Sequence, residues 1–195
     1  MTTPDSRSPV ALAGTPLQRR SCLPGCLLQG LLTLALLVGG LLVVFPPMRH
    51  PGLMLRLLTA EPEDHLPVPV AGVRPRDLAN TWGAPRSGGR THQGIDIFAP
   101  RGTPVLSATP GLVVTVGENN LGGQIVRVLG PGREWHYYAH LDRFGAFESG
   151  DVVAEGDTLG YVGTTGNARG TPPHLHYGIY AATGEAQNPY PRLVP

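Results

Sequence analysis

Seven histidines occur in this chain of 195 residues, and five of them fall between His92 and His176. They fall in three groupings, and four of them, His92, His140, His174 and His176, are placed to bind a metal or move protons. The first grouping is Thr91-His92-Gln93-Gly94-Ile95-Asp96. An imidazole and a carboxylate four positions apart stand ~13 Å from each other on a straight strand, so they share an ion only if the backbone bends. Gly94, between them, is expected to supply that bend or a bulge. The second grouping is Pro172-Pro173-His174-Leu175-His176. On a strand, His174 and His176 point to the same face ~6.5 Å apart, which suits one ligand beside one proton-transfer group. The third is Trp135-His136-Tyr137-Tyr138-Ala139-His140-Leu141, where strand alternation sends His136, Tyr138 and His140 to one face and Trp135, Tyr137 and Ala139 to the other.

Each grouping alone also fits an ordinary surface turn or sheet face; together they point to a metal. Zinc takes His nitrogen and carboxylate oxygen where thiolate is absent, and a catalytic zinc needs three protein ligands with one position open. His92, Asp96 and one of the His174/His176 pair meet that count. The other member of the pair and His140 are then left for proton transfer. The chain has no His-Glu-x-x-His segment, so the glutamate base of many zinc proteases is missing. A histidine, with its ordinary pKa near neutrality, has to stand in for it.

These residues need a scaffold of strands. Short β-type runs recur at 104–107, 111–116, 124–129, 134–141, 158–162 and 174–180, separated by Gly- and Pro-rich turns. Their length and spacing predict an all-β, antiparallel domain. Ahead of it lies a run from Leu27 to Phe45 without a charged residue. At ~1.5 Å per residue this run reaches ~28 Å, close to the thickness of a hydrocarbon core. It is longer than the hydrophobic region of a cleavable signal peptide, and Pro46-Pro47-Met48-Arg49 follows it without a small-residue cleavage pattern. The expected organisation is an N-terminal cytoplasmic segment (1–26), a single transmembrane anchor (27–45), a juxtamembrane linker (46–65) and a catalytic domain (66–195). Arg7, Arg19 and Arg20 precede the run, which favours a cytoplasmic N-terminus and places the domain on the extracytoplasmic side.

Composition excludes other classes. A net charge of +1 offers no field for nucleic acid. The only cysteines, Cys22 and Cys26, lie before the apolar run, so the domain has neither disulfides nor a thiolate-bound zinc. All 15 basic residues are arginine. The hairpin-like segment 149–157 is similar to those of biotinyl and lipoyl carriers, but the absence of lysine excludes their cofactor attachment.

The same residues resemble the lysostaphin-type, or M23, peptidases, also called LytM domains. His92-x-x-x-Asp96 looks like their first motif, Tyr138-Ala139-His140-Leu141 their middle segment, and His174-x-His176 their last. Gly94-Ile95-Asp96-Ile97, Gly102-Thr103-Pro104-Val105 and Gly163-Thr164-Thr165-Gly166-Asn167 resemble framework segments, and the likeness runs from about residue 66 to 189. It implies one Zn²⁺ held by His92, Asp96 and His176, with His140 and His174 as catalytic groups flanking it. Tyr138 and Asn167 are candidates for contact with substrate. It further implies an endopeptidase acting on peptide cross-links of bacterial peptidoglycan from the inner membrane. The competing expectation is a non-catalytic LytM-type module that binds or activates other wall hydrolases; such relatives typically lose metal ligands, and this chain keeps them.

Overall fold

The computed structural model describes residues 23–44 and 49–194. Residues 1–22, with Cys22, and 45–48, with the end of the expected anchor, lie outside the described residues. The chain divides into two units, 1–39 and 40–195. Helix α1, Leu23–Val44, carries the uncharged sequence of the apolar run. Among the described residues, no helix is long and apolar enough to cross a membrane; the side chains described in α1 extend only from Leu27 to Leu41.

The segment 46–65, expected to be a linker, contains helix α2, Pro51–Thr59. Pro51 opens it with the φ a first turn requires. Leu57 is buried against Leu112 and Leu129, with Leu53 and Met54 beside it, while Leu55 and Leu58 stay exposed. At helical spacing Leu53 and Leu57 share a face, and burying that face against the sheet removes it from water.

The region from residue 66 onward is a mostly β structure. Its strands are β1 (Ile95–Phe98), β2 (Pro104–Leu106), β3 (Gly111–Asn119), β4 (Gly123–Leu129), β5 (Trp135–Phe144), β6 (Val152–Val153), β7 (Thr158–Val162), β8 (His174–Tyr180) and β9 (Ala186–Gln187), followed by the short helix α3 (Tyr190–Leu193). All described strand pairings are antiparallel. The main path runs β1-β8-β5-β4-β3-β6, β7 joins β5 to β2, and β9 extends β8. Six of the strands coincide with the β-type runs of the sequence to within a few residues; β1, β6 and β9 are additional and short.

Alternation explains which side chains reach the site. On β8, Leu175, Tyr177 and Ile179 are fully buried in the core, so His174 and His176 stand on the other face. On β1, Ile95 and Ile97 are buried in the same core, which sends Asp96 and Phe98 to the face of the histidines. The register places Asp96 opposite His176 and Phe98 opposite His174. On the other side of β8, Ala139 of β5 lies opposite His176.

β5 obeys the alternation only as far as Ala139. His136 and Tyr138 point into the core, both essentially without exposure. His140 was expected on their face, but its φ is 64°. The pairing with β4 slips there: Gln124 faces Leu141 whereas Val126 faces Tyr138, so β5 carries one extra residue. This is a β-bulge. It turns His140 out of the core and onto the face of Tyr137 and Ala139.

Candidate metal centre

The five residues singled out from the sequence converge on one groove. It holds about 770 Å³ and is lined by His92, Asp96, His140, His174 and His176 together with Arg86, Tyr137, Phe98, Leu121, Asn167 and Tyr180, among others. Asp96, His92 and His176 form its centre. Asp96 Oδ1 lies 3.0 Å from His92 Nε2 and 3.3 Å from His176 Nδ1, and those two nitrogens are 2.8 Å apart. One donor atom from each residue falls within 4.8 Å of the others, an arrangement that could hold a metal ion.

Backbone carbonyls decide which imidazole nitrogens face inward. His92 Nδ1 donates to the carbonyl of Thr81 at 2.7 Å, His140 Nδ1 to that of Thr165 at 2.9 Å, and His174 Nδ1 to that of Pro172 at 2.8 Å. A carbonyl only accepts, so in each ring Nδ1 carries the proton and Nε2 keeps its lone pair. A metal-binding imidazole characteristically donates its second nitrogen in this way. His176 instead turns its Nδ1 toward Asp96.

His92 belongs to no strand. Its N–H donates to the carbonyl of Ala84 at 2.9 Å and its carbonyl accepts from Gly83 at 2.9 Å. Thr81 ties the two halves of the motif together: its carbonyl receives the His92 ring, and its hydroxyl accepts the backbone N–H of Asp96 at 2.9 Å. Gly94 does not act through an unusual backbone angle, as it is absent from the glycines with positive φ. Its contribution is space. A Cβ at Gly94 would stand 2.6 Å from the Tyr177 carbonyl oxygen and 2.8 Å from His176 Cε1. The chain does bend at Gly94, as expected, and the missing side chain also permits a close approach of the backbone to His176.

Electrostatics separate the roles of these groups. Burial pushes the Asp96 carboxyl up, but its close contacts with the His176 and His92 rings outweigh it and hold the group well below the usual carboxylate range. Burial, then the neighbouring His176 and His174, push His140 down to about 4. Burial likewise lowers His176, against the hydrogen bond it donates to Asp96, which raises it. At neutral pH the Asp96 carboxylate therefore stands beside neutral His176 and His140 rings, and carboxylate and neutral imidazole are the forms that ligation requires.

Two of the expected contacts with substrate diverge. Asn167 lies on the groove, exposed, with its backbone N–H bonded to the Leu121 carbonyl at 3.0 Å. Tyr138 does not reach the groove. It is fully buried, and its hydroxyl accepts the N–H of Ala108 at 3.0 Å. Strand alternation gives the groove position to Tyr137 instead, whose hydroxyl accepts from Asn119 Nδ2 at 3.1 Å. His136 is a core residue, with Nδ1 2.7 Å from the Tyr177 hydroxyl.

Sequence reasoning also passed over Arg86, whose Nη2 donates to Asp96 Oδ2. The available signal was Arg86-Ser87-Gly88-Gly89-Arg90, a glycine-centred reversal just before His92.

Comparison with known proteins matches this geometry to a family. The description Peptidase family M23 fits residues 90–189. The L-Ala–D-Glu endopeptidase of Bacillus subtilis is 39% identical over 125 residues, covering 58% of this chain and 38% of that protein. The peptidoglycan DD-endopeptidase ShyC of Vibrio cholerae is 35% identical over 100 residues, covering 51% of this chain and 22% of the relative. The chain thus spans well under half the length of these curated relatives. Among solved structures, the catalytic domain of the antimicrobial peptidase lysostaphin from Staphylococcus simulans superposes with a TM-score of 0.53 at 29% identity, covering 60% of this chain and 92% of that domain.

Proposed function

This chain belongs to peptidase family M23, and on that premise we propose that it is a zinc-dependent endopeptidase hydrolysing peptide cross-links of bacterial peptidoglycan. The observation that carries the reading is the convergence of His92 Nε2, Asp96 Oδ1 and His176 Nδ1 within 4.8 Å. Two nitrogens and a carboxylate oxygen suit zinc and leave a tetrahedral position open. The named wall endopeptidases among the relatives support the substrate class.

Bound at these three residues, zinc would supply Lewis acidity toward a water and a peptide carbonyl. The chain's own residues do the rest. Neutral His140 presents Nε2 to the groove and can take a proton from the attacking water, because its pKa near 4 keeps it unprotonated at neutral pH. His174 presents its Nε2 3.9 Å from Asp96 Oδ1. In the protonated form either ring can stabilise the developing oxyanion or return a proton to the leaving amine. Phe98, its ring centroid 5.3 Å from that of His174, and Leu121 give the groove apolar surface.

The reading extends to location. The uncharged run through α1 supports a single-pass anchor in the inner membrane, with the peptidase domain on the extracytoplasmic side facing the wall. Fractionation tests this part: the full chain is expected in the membrane fraction after alkaline washing, and recovery in the soluble fraction would refute the anchor.

The enzymatic reading is tested by incubating the full chain, in detergent, with purified peptidoglycan, with and without chelator. Mass analysis is expected to find new peptide termini only without chelator. Metal binding without released peptides would favour the non-catalytic module instead.

A further inference from the structure

We propose that Arg86 is a positioning residue that reserves one oxygen of Asp96 for the metal, an inference resting on the metal centre proposed above. The two oxygens of Asp96 have different neighbours. Oδ1 faces the imidazoles, 3.0 Å from His92 Nε2, 3.3 Å from His176 Nδ1 and 3.9 Å from His174 Nε2. Oδ2 accepts the Arg86 guanidinium. The Asp96 side chain is 11% exposed and that of Arg86 35%, so the pair is partly withdrawn from water and less screened than a surface pair.

A carboxylate that is free to turn offers a metal either one oxygen or both. In this centre the second oxygen would compete for the position that catalysis needs open. Arg86 prevents that by engaging Oδ2, and it holds Oδ1 on the side of His92 and His176. Arginine suits the task because its guanidinium is planar, permanently charged and directional.

The backbone around Arg86 is built to aim it. Arg86 N–H donates to the Arg90 carbonyl at 2.9 Å, and a β-bridge joins Pro85 to Thr91. Between them Gly88 and Gly89 reverse the chain with φ of 72° and 71°, a region that side chains disfavour. The returning arm leads directly into His92. One hairpin therefore carries a candidate ligand and the residue that orients another, which couples the spacing of both to a single element. Asp96 is the only acidic side chain lining the groove among the described residues, so no other carboxylate there competes for the guanidinium.

Cobalt-substituted full chain tests the idea, because the visible bands of Co²⁺ report its coordination number without any need for turnover. Arg86→Ala is expected to bind one Co²⁺, as the parent does, but with weaker bands characteristic of an added ligand. Turnover of the zinc form on peptidoglycan is expected to fall by about 10- to 100-fold, as for other residues that orient metal ligands. Arg86→Lys keeps the charge without the fork and is expected to restore both properties in part. An unchanged cobalt spectrum in Arg86→Ala overturns the proposal, whatever happens to turnover. Should Arg86→Ala fail to fold, the Arg86→Lys spectrum decides in the same way: a shift supports the role and identity with the parent overturns it. A parent chain that binds Co²⁺ yet releases no wall peptides defeats the peptidase reading and leaves the Arg86 test standing; one that binds no Co²⁺ defeats both.

Discussion

The imidazole of His140 is fixed by the carbonyl of Thr165, 2.9 Å from Nδ1, on a backbone turned to φ 64°. The bulge delivers the residue to the groove and the hydrogen bond selects the nitrogen that faces it. His174 is held in the same manner by Pro172. His140→Asn tolerates the left-handed backbone and removes the ring. It is expected to retain zinc while losing about 10²- to 10⁴-fold in turnover, the usual scale for a lost acid–base group. His174→Ala is expected to behave alike. Metal analysis with a wall-digestion assay checks both, and full activity in either variant refutes the assigned role.

Metal removal separates ligands from proton-transfer groups. Chelated parent protein and the variants His92→Ala, Asp96→Ala and His176→Ala are all expected to lack both zinc and activity. Re-adding zinc should rescue the chelated parent alone. It should also raise the unfolding temperature of the parent, since an ion present at a hundred times its dissociation constant stabilises the folded state by about 2.7 kcal/mol. Calorimetry with and without zinc makes the comparison.

Gly94→Ala probes the close approach of β1 to β8. The added methyl would meet the Tyr177 carbonyl oxygen at 2.6 Å and the His176 ring at 2.8 Å. Backbone and ring must part, at a cost of about 1–3 kcal/mol. Weaker zinc binding is expected alongside lower stability, measured by chelator competition and denaturant unfolding. A variant with parental zinc affinity would show that His176 adjusts without cost.

Adjacent tyrosines should give opposite phenotypes. Tyr138→Phe leaves the buried N–H of Ala108 without its acceptor and is expected to cost about 1–3 kcal/mol of stability, with turnover unchanged. Tyr137→Ala is expected to raise KM with a smaller loss of stability, because its side chain borders the groove. Denaturant curves and steady-state kinetics on a soluble cross-linked peptide test the pair; the reverse pattern would overturn the assignment of faces.

His136 makes stability depend on pH. Burial, and secondarily the charge of Arg192, lower its pKa to about 3 from 6.5. Glu134 lies 4.0 Å from its Nε2, but that carboxylate is already paired with Arg192 at 2.8 Å and 3.0 Å. With the folded pKa depressed, the unfolded chain binds a proton more readily. The associated stability is complete above about pH 6.5 and is lost progressively as pH falls toward 3. His136→Gln, which does not titrate, is expected to flatten the decline between pH 6.5 and 4 in metal-free protein. Unfolding curves across that range check it, and an unaltered slope would assign the decline to other groups.

Much of this protein is legible in the residues alone, and the reason is locality. Turn residues and short alternating runs mark six of the strands, because strand ends and side-chain direction depend on a few neighbouring positions. His174 and His176 share a face for the same reason. The absence of lysine and of cysteine beyond Cys26 removes whole classes of chemistry without any structure. What remained hidden depends on contacts between distant segments. The extra residue that turns His140 outward exists only in the pairing of β5 with β4, so strict alternation put Tyr138 on the groove where Tyr137 stands. Gly94 matters because β8 passes within reach of its missing side chain, which no local pattern encodes. Arg86 meets Asp96 only after a hairpin returns the chain. Local sequence determined which groups were available and which way most of them point; tertiary pairing decided which of them meet, because register and close approach belong to two strands at once.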